Sequence, residues 1–430
     1  MTTKNKHIDR RRAAAEAAWG LTDECVLVAA GAPIPKPGGA DQTFPYLPHN
    51  EYLWLADRRR PGSVLAFDAH EGWTDFVPLI SQAERIWEKT GNDEGVSAEG
   101  IDAWVEARRG RPLAVLGCPL PGIDDEPALR ERLREGLLAA RRPKDDVELE
   151  LMRRAEKATA AGFAKARSLL VPGKTEREVQ IEIEAEFMRA GGDRFAFGTI
   201  VASGPNAAVL HFEPSQRKLA AGEMVLIDAG ADVEGYACDV TRTYPVGGRF
   251  TPEQRDLYVI LLSAQEKAVA DCRAGVEFKE LHLATARDIA AGLTTFGLMR
   301  GKPDELVESG ASALFFPHGL GHLVGLGIRD ASGYLPGRAR STHPVLQYLR
   351  CDLPLGEGFV TTIEPGIYFI PALLCDQKLR EQHKDRVDWK RVDQMLDFGG
   401  FRIEDNVLIT KGDPVVLTAD IPKALKDISG

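Results

Sequence analysis

In the stretch EMVLIDAGADVEGYACDVTRTYPV, residues 223–246, Asp228 ends the apolar run Val225-Leu226-Ile227 and a second aspartate, Asp239, follows it. The runs on either side of Asp232-Val233-Glu234-Gly235 predict an antiparallel hairpin. A loop centred on Val233-Glu234 sets Asp228 opposite Asp239. Like charges directly opposite one another are destabilising unless something positive lies between them. The alternative is that one carboxylate serves a turn or cap and the pairing is one residue out of step. Three further motifs interrupt apolar runs with polar groups. His318 and His322 sit in FFPHGLGHLVGLGIRD, Glu364 follows the β-branched run of FVTTIEPGIYF, and Glu404 lies in FRIEDNVLIT. Taken singly, each has a plain explanation: a hydrogen-bonded histidine, or a solvated strand-end glutamate. Taken together, four carboxylates and one histidine make an oxygen-rich, negatively charged site that would repel itself without a cation. One nitrogen ligand and no thiolate suit Mn²⁺, Co²⁺ or Zn²⁺, bound as a carboxylate-bridged pair. The two histidines do not make a zincin helix, because no glutamate stands beside the first and HGLGH carries two helix-weakening glycines.

The elements that must position these groups fall in the second part of the chain. A length of 430 residues predicts two domains. The charged, proline-containing RRPKDD at 141–146 marks the hinge, with an N-terminal α/β domain at 1–143 and a catalytic domain at 144–430. In the first part, the strand-like runs CVLVAA, SVLAFDA and PLAVLG alternate with helical segments, and no catalytic constellation appears. The second part opens with predicted helices at 147–170 and 175–190, the latter begun by a T-E-R-E capping box at Thr175. Strands then dominate, interrupted by a helical block at about 252–297, so the fold class is α+β. A net charge of -10 argues against a nucleic acid or an anionic membrane as the main partner. Six cysteines without a CxxC pair predict reduced, buried thiols. The absence of a secretory h-region or a long apolar run predicts a cytoplasmic protein.

At these motifs the chain resembles the metallopeptidases of the pita-bread fold, which include methionine aminopeptidase, aminopeptidase P and prolidase. The resemblance extends over most of residues 144–412. It implies that Asp228, Asp239, His322, Glu364 and Glu404 bind two divalent ions, Mn²⁺ foremost, with Asp239 and Glu404 bridging them. It also implies that Glu364 is the general base and that His211, in AAVLHF, and His318 orient the substrate and stabilise the tetrahedral intermediate. Within the family, YLRC, IEPGIYFIPALL, FGGFRIEDNV and the extra N-terminal domain look most like prolidase. Hydrolysis of Xaa-Pro dipeptides is therefore the expected activity. Aminopeptidase P, acting on longer peptides, is the alternative, and a metal-less protein-binding module a distant one. Arg350 matches a prolidase arginine and would hold the free carboxylate of the C-terminal proline through paired hydrogen bonds. Arg402 would steady Glu404 from behind. The chain departs from the family twice: Arg329 stands where a histidine is usual, and Phe197 where prolidases have tyrosine. Arg329 is expected to take over part of the missing histidine's contact with substrate. The resemblance further implies a homodimer in which the N-terminal domain of one subunit covers the other's site.

Overall fold

CVLVAA and SVLAFDA form strands β1 (Cys25–Ala29) and β2 (Val64–Asp68), and PLAVLG forms β5 (Leu113–Gly117), after β3 (Gly72–Val77) and β4 (Val96–Ser97). They assemble as one sheet in the order β4-β3-β2-β1-β5, with β1 antiparallel to β2 and parallel to β5. The computed structural model describes residues 3–39, 41–87 and 94–429. It divides the chain into two compact units, Met1–Arg141 and Arg142–Gly430.

The second unit begins with the helices Asp146–Arg167 and Glu176–Arg189. Each starts at a complete capping box, Asp145 with Glu148 and Thr175 with Glu178, in which two otherwise orphaned amides are satisfied reciprocally. The helical block after residue 252 resolves into two helices, Pro252–Ala270 and Phe278–Phe296. They separate at residues 271–277, where the Gly275 and Phe278 amides donate to the Leu355 and Leu353 carbonyls instead of continuing a helix. The strands are β6 (Arg194–Phe195), β7 (Ile200–Ser203), β8 (Met224–Ala229), β9 (Ala231–Val233), β10 (Tyr236–Ala237), β11 (Val240–Pro245), β12 (Val360–Ile363), β13 (Gly366–Tyr368), β14 (Gly400–Arg402), β15 (Asp405–Leu408) and β16 (Val415–Val416). They form short sheets ordered β11-β8-β7, β10-β9-β6, β12-β15-β16 and β13-β14. Phe163, Ile183 and Phe187 from the first helix pair, Leu261 and Ile289 from the second, and Ile227 and Val240 from the strands share one buried core.

The hairpin forms, but its register differs from the predicted one. Its turn centres on Glu234-Gly235, both at positive φ (55° and 92°), the conformation of a two-residue I′ turn. Gly235 adopts it without a Cβ penalty, so the turn sits one residue later than predicted and the pairing slips by two. Asp228 therefore faces Thr241, not Asp239. Burial of the thiols also differs at one position: Cys25, Cys238, Cys272 and Cys351 are buried and Cys118 half-buried, but Cys375 is exposed. Among the described residues, no helix is long and apolar enough to cross a membrane.

Behind β11 and β15 lies a buried ionic network. Arg242, 1% exposed, donates to the carbonyls of Glu404 (2.6 Å) and Ile421 (2.7 Å) and pairs with Asp405 at 2.7 Å. Asp405 also accepts from Lys423 (2.6 Å), Gln265 (2.9 Å) and Thr418 (2.8 Å). Removing one partner of such a pair leaves a buried charge uncompensated, a cost of about 3 to 5 kcal/mol. Asp405→Ala should lower unfolding free energy by about that much in urea titrations. A loss below about 1 kcal/mol would show that the network does not hold these strands together.

Candidate active site

The carboxylates sit where strands begin, end or change partners. Asp228 lies in β8, Asp239 immediately before β11, Glu364 directly after β12, and Glu404 between β14 and β15. Because the hairpin slips by two residues and side chains alternate with a period of two, Asp228 and Asp239 remain on one face as diagonal neighbours. A slip of one would have sent one of them to the opposite face. Asn406 holds Asp239 from behind: its Oδ1 accepts the Asp239 amide at 3.1 Å, and its Nδ2 donates to the Asp239 carbonyl at 2.7 Å. The Glu404 amide donates to the Thr241 carbonyl, which links β11 to the β14–β15 junction.

HGLGH is not helical. The His322 amide donates to Thr362 Oγ1 at 3.0 Å, while the Thr362 and Glu364 amides donate to the His322 and Leu320 carbonyls. A Cβ on Gly321 would stand 2.0 Å from the Thr362 carbonyl oxygen, so only glycine lets this loop lie against β12. The contact brings His322 Nε2 to 3.4 Å from Asp239 Oδ2 and 3.8 Å from Glu364 Oε1. Oxygens of Asp228, Asp239 and Glu404 all lie within 4.8 Å of one another.

Arg402 is the buried cation of the site. It donates to Asp228 Oδ2 (2.6 Å), Thr241 Oγ1 (3.0 Å) and Tyr368 Oη (2.7 Å), and Thr241 in turn donates to Glu404 Oε2 at 2.6 Å. The arginine placed behind Glu404 on sequence thus grips Asp228 directly and reaches Glu404 through Thr241. Since Tyr368 Oη accepts from Arg402, its own hydrogen goes to His318 Nε2 at 3.0 Å, and His318 Nδ1 donates to the Gly319 carbonyl at 2.8 Å. Both His318 nitrogens are therefore committed within the protein, although the ring also faces Glu364 at 4.0 Å. Sequence reading missed Thr241, Tyr368 and Asn406. Two signals were available: Thr241 follows Asp239 at strand period, and a tyrosine inside an apolar strand needs a partner for its hydroxyl.

Burial pushes the Asp228 carboxyl up to about 7, with Asp239 and Glu364 adding and Arg402 opposing. Burial also raises Glu364, and it raises Glu404 strongly, with Asp239 adding to each. His322 is raised because Asp239 and Glu364 outweigh its burial. Burial lowers His318 to about 3 and also lowers His211, so both rings are neutral at pH 7. The donor set fits divalent cations. Four carboxylates and an imidazole converge, and the buried Asp228 Oδ1 has no hydrogen-bond partner among the described residues. All of these groups line one cavity of about 1230 Å³, together with His211, Phe197, Arg329 and Arg350.

Residues 150–411 match metallopeptidase family M24. A Botryotinia fuckeliana protein named "Probable Xaa-Pro aminopeptidase" is 36% identical over 392 residues, 86% of this chain and 84% of its own. A Shewanella amazonensis protein named "Xaa-Pro dipeptidase" is 37% identical over the same proportions. The solved proline aminopeptidase P II of Yersinia pestis superposes with a TM-score of 0.80 at 26% identity, covering 100% of this chain and 98% of that one.

The raised Asp228 carboxyl has a signed consequence. An unfolded aspartate titrates near about 3.9, so between about pH 4 and 7 the folded, metal-free chain binds the extra proton and stability falls as pH rises. Chelator-treated protein should melt progressively earlier over that range, and Asp228→Asn should make the slope shallower, with the raised Glu364 and Glu404 supplying the remainder. Divalent ions added at the alkaline end should restore the melting temperature, since binding requires the deprotonated ligands. Equal slopes in both proteins would remove Asp228 as the cause.

Proposed function

Because the chain belongs to metallopeptidase family M24, we propose that it is an Xaa-Pro aminopeptidase, releasing the residue ahead of proline from peptides longer than a dipeptide. The observation that carries this reading is the correspondence with an aminopeptidase P along essentially the whole of both chains. The 1230 Å³ cavity also supports it, being larger than the range of about 300 to 1000 Å³ usual for small ligands.

Asp228, Asp239, His322, Glu364 and Glu404 would hold two divalent ions, with Mn²⁺ the first candidate and Co²⁺ or Zn²⁺ compatible with the same donors. When bound, such ions polarise a peptide carbonyl and acidify water. Glu364 accepts the proton of the attacking water and returns it to the leaving proline nitrogen. Neutral His211, exposed on the cavity wall, offers an N–H to the carbonyl oxygen as charge develops there. His318 acts through Tyr368, fixing the hydroxyl that Arg402 leans on. Arg402 keeps Asp228 oriented.

A dipeptidase is the second reading. Arg350 favours it: the guanidinium lines the cavity and makes no ion pair among the described residues, so it is available for a terminal carboxylate. Ala-Pro-Ala, Ala-Pro and Ala-Pro-amide, assayed on metal-loaded protein, separate the readings. The aminopeptidase should cleave the tripeptide with kcat/KM at least about tenfold above the dipeptide. The reverse order, with the amide refused and Arg350→Ala losing about tenfold to a hundredfold on the acid, would establish the dipeptidase. Glu404→Ala should abolish both metal binding and hydrolysis, and full activity in metal-free protein would refute the whole scheme.

We also propose a homodimer. In the first unit, Leu79, Ile86 and Trp87 are 69%, 69% and 83% exposed, apolar side chains that a partner subunit could cover. Light scattering should give about twice 47.0 kDa at micromolar concentration, and Trp87→Glu should shift the mass towards monomer. A monomeric, fully active wild type would exclude the dimer.

A further inference from the structure

Four arginines fall between residues 329 and 350, and they are used differently. Arg338 is neutralised inside the protein, pairing with Glu277 at 2.6 Å and Asp352 at 2.8 Å, and it does not line the cavity. Arg329, Arg340 and Arg350 do line it, and among the described residues none of the three forms an ion pair with a carboxylate. Arg340 and Arg350 belong to one tied segment. The Arg340 guanidinium lies 5.5 Å from the Tyr334 ring, and Tyr334 Oη donates to the Leu349 carbonyl at 2.9 Å, next to Arg350. Arg329 projects from an anchored loop. The adjoining Asp330 is buried, pairs with the buried Lys144 at 3.0 Å and accepts the Leu326 amide at 2.9 Å.

The acidic lining residues outside the catalytic cluster do not pair with these arginines: Glu184 accepts from Gln180, and Glu213 lies 3.9 Å from Arg177. Much of the remaining lining is apolar, including Phe195, Phe197, Leu210 and Phe212. Three guanidinium groups thus line the cavity without a close carboxylate partner among the described residues, in a chain whose net charge is -10, with Glu364 and Asp239 the acidic groups that act on Arg329 from farther off. Like charges held together repel: burial and then Arg350 oppose the charge on Arg329, and Glu364 and Asp239 offset them only in part. A ligand bearing more than one carboxylate relieves that repulsion with charge-assisted hydrogen bonds.

We propose that Arg329, Arg340 and Arg350 form an anion-receiving wall that makes acidic peptides, those with a carboxylate side chain after proline as well as a terminal carboxylate, the favoured substrates. The inference rests on the Xaa-Pro reading and adds to it a substrate class and a specificity residue, Arg340. The test uses the isosteric pair Ala-Pro-Glu and Ala-Pro-Gln on metal-loaded protein at about 0.02 M and about 0.5 M salt. At low salt, kcat/KM for the Glu peptide should exceed that for the Gln peptide by about fivefold, and high salt should shrink the ratio. Arg340→Gln should bring the ratio down by at least about twofold, and Arg340→Glu should invert it. Melting curves would confirm that both variants are folded. A wild-type ratio within about twofold of one overturns the wall while leaving the Xaa-Pro reading intact, and a ratio unchanged in both variants overturns Arg340's part. If neither peptide is cleaved, the Xaa-Pro reading fails. Calorimetry with Pro-Glu and Pro-Gln then decides the wall alone: tighter binding of Pro-Glu supports it, and equal affinity overturns it.

Discussion

The architecture of the second unit answers one electrostatic constraint: Asp228, Asp239 and Glu404 converge in a buried pocket, with Glu364 beside them. In a low-dielectric interior such a cluster repels itself, and either protons or cations must relieve it. Arg402 supplies one fixed positive charge, held by Asp228, Thr241 and Tyr368. One guanidinium cannot neutralise four carboxylates. The raised carboxyls and the orphaned Asp228 Oδ1 express the charge still missing, and divalent ions suit that deficit in both sign and donor chemistry.

Holding repelling groups together requires a stiff frame, and the frame is mostly backbone. Asp228 is placed near the end of the central strand β8 and the other three carboxylates at strand junctions, and each junction is fixed by at least one hydrogen bond to a neighbouring element. Asn406 closes on Asp239, Glu404 hangs from the Thr241 carbonyl, and Glu364 from the Leu320 carbonyl. Arg242 and Asp405 bind the same strands from the far side, one residue away from Thr241 and Glu404. The strands are short, so register and junction geometry matter more here than sheet size.

Much of this site was legible in the sequence because strand periodicity constrains it heavily. Carboxylates ending apolar runs announce themselves, and the family resemblance named the histidine that joins them. The exact facing of Asp228 was not legible, since Val233-Glu234 and Glu234-Gly235 are both plausible turn centres until positive φ at two successive residues selects the one with glycine second. The aspartates converge anyway, because a two-residue slip preserves the face. The 252–297 helical block divides after Ala270, at a segment where Gly275 takes a φ of 86°; the glycine was a local signal for the break, whereas the Leu353 and Leu355 carbonyls that receive the Phe278 and Gly275 amides lie about eighty residues downstream. Asn406 and the partners of Tyr368 were hidden for a related reason: their roles consist of hydrogen bonds to residues distant in sequence.

The arginines show how burial sorts one side chain into different roles. Arg242 and Arg402, 1% and 4% exposed, have their donors taken up by carboxylates, hydroxyls and carbonyls, as a buried charge must. They orient other groups and have little left to offer a ligand. Arg329, Arg340 and Arg350 keep access to water, so leaving their donors unpaired costs little until a ligand arrives. Exchanging the two kinds would fail in both directions. A buried arginine without its carboxylate would destabilise the frame, and a cavity arginine with one would close the wall to substrate. Under the proposed function, recognition falls to the accessible set, while the buried set supplies the rigidity of the frame.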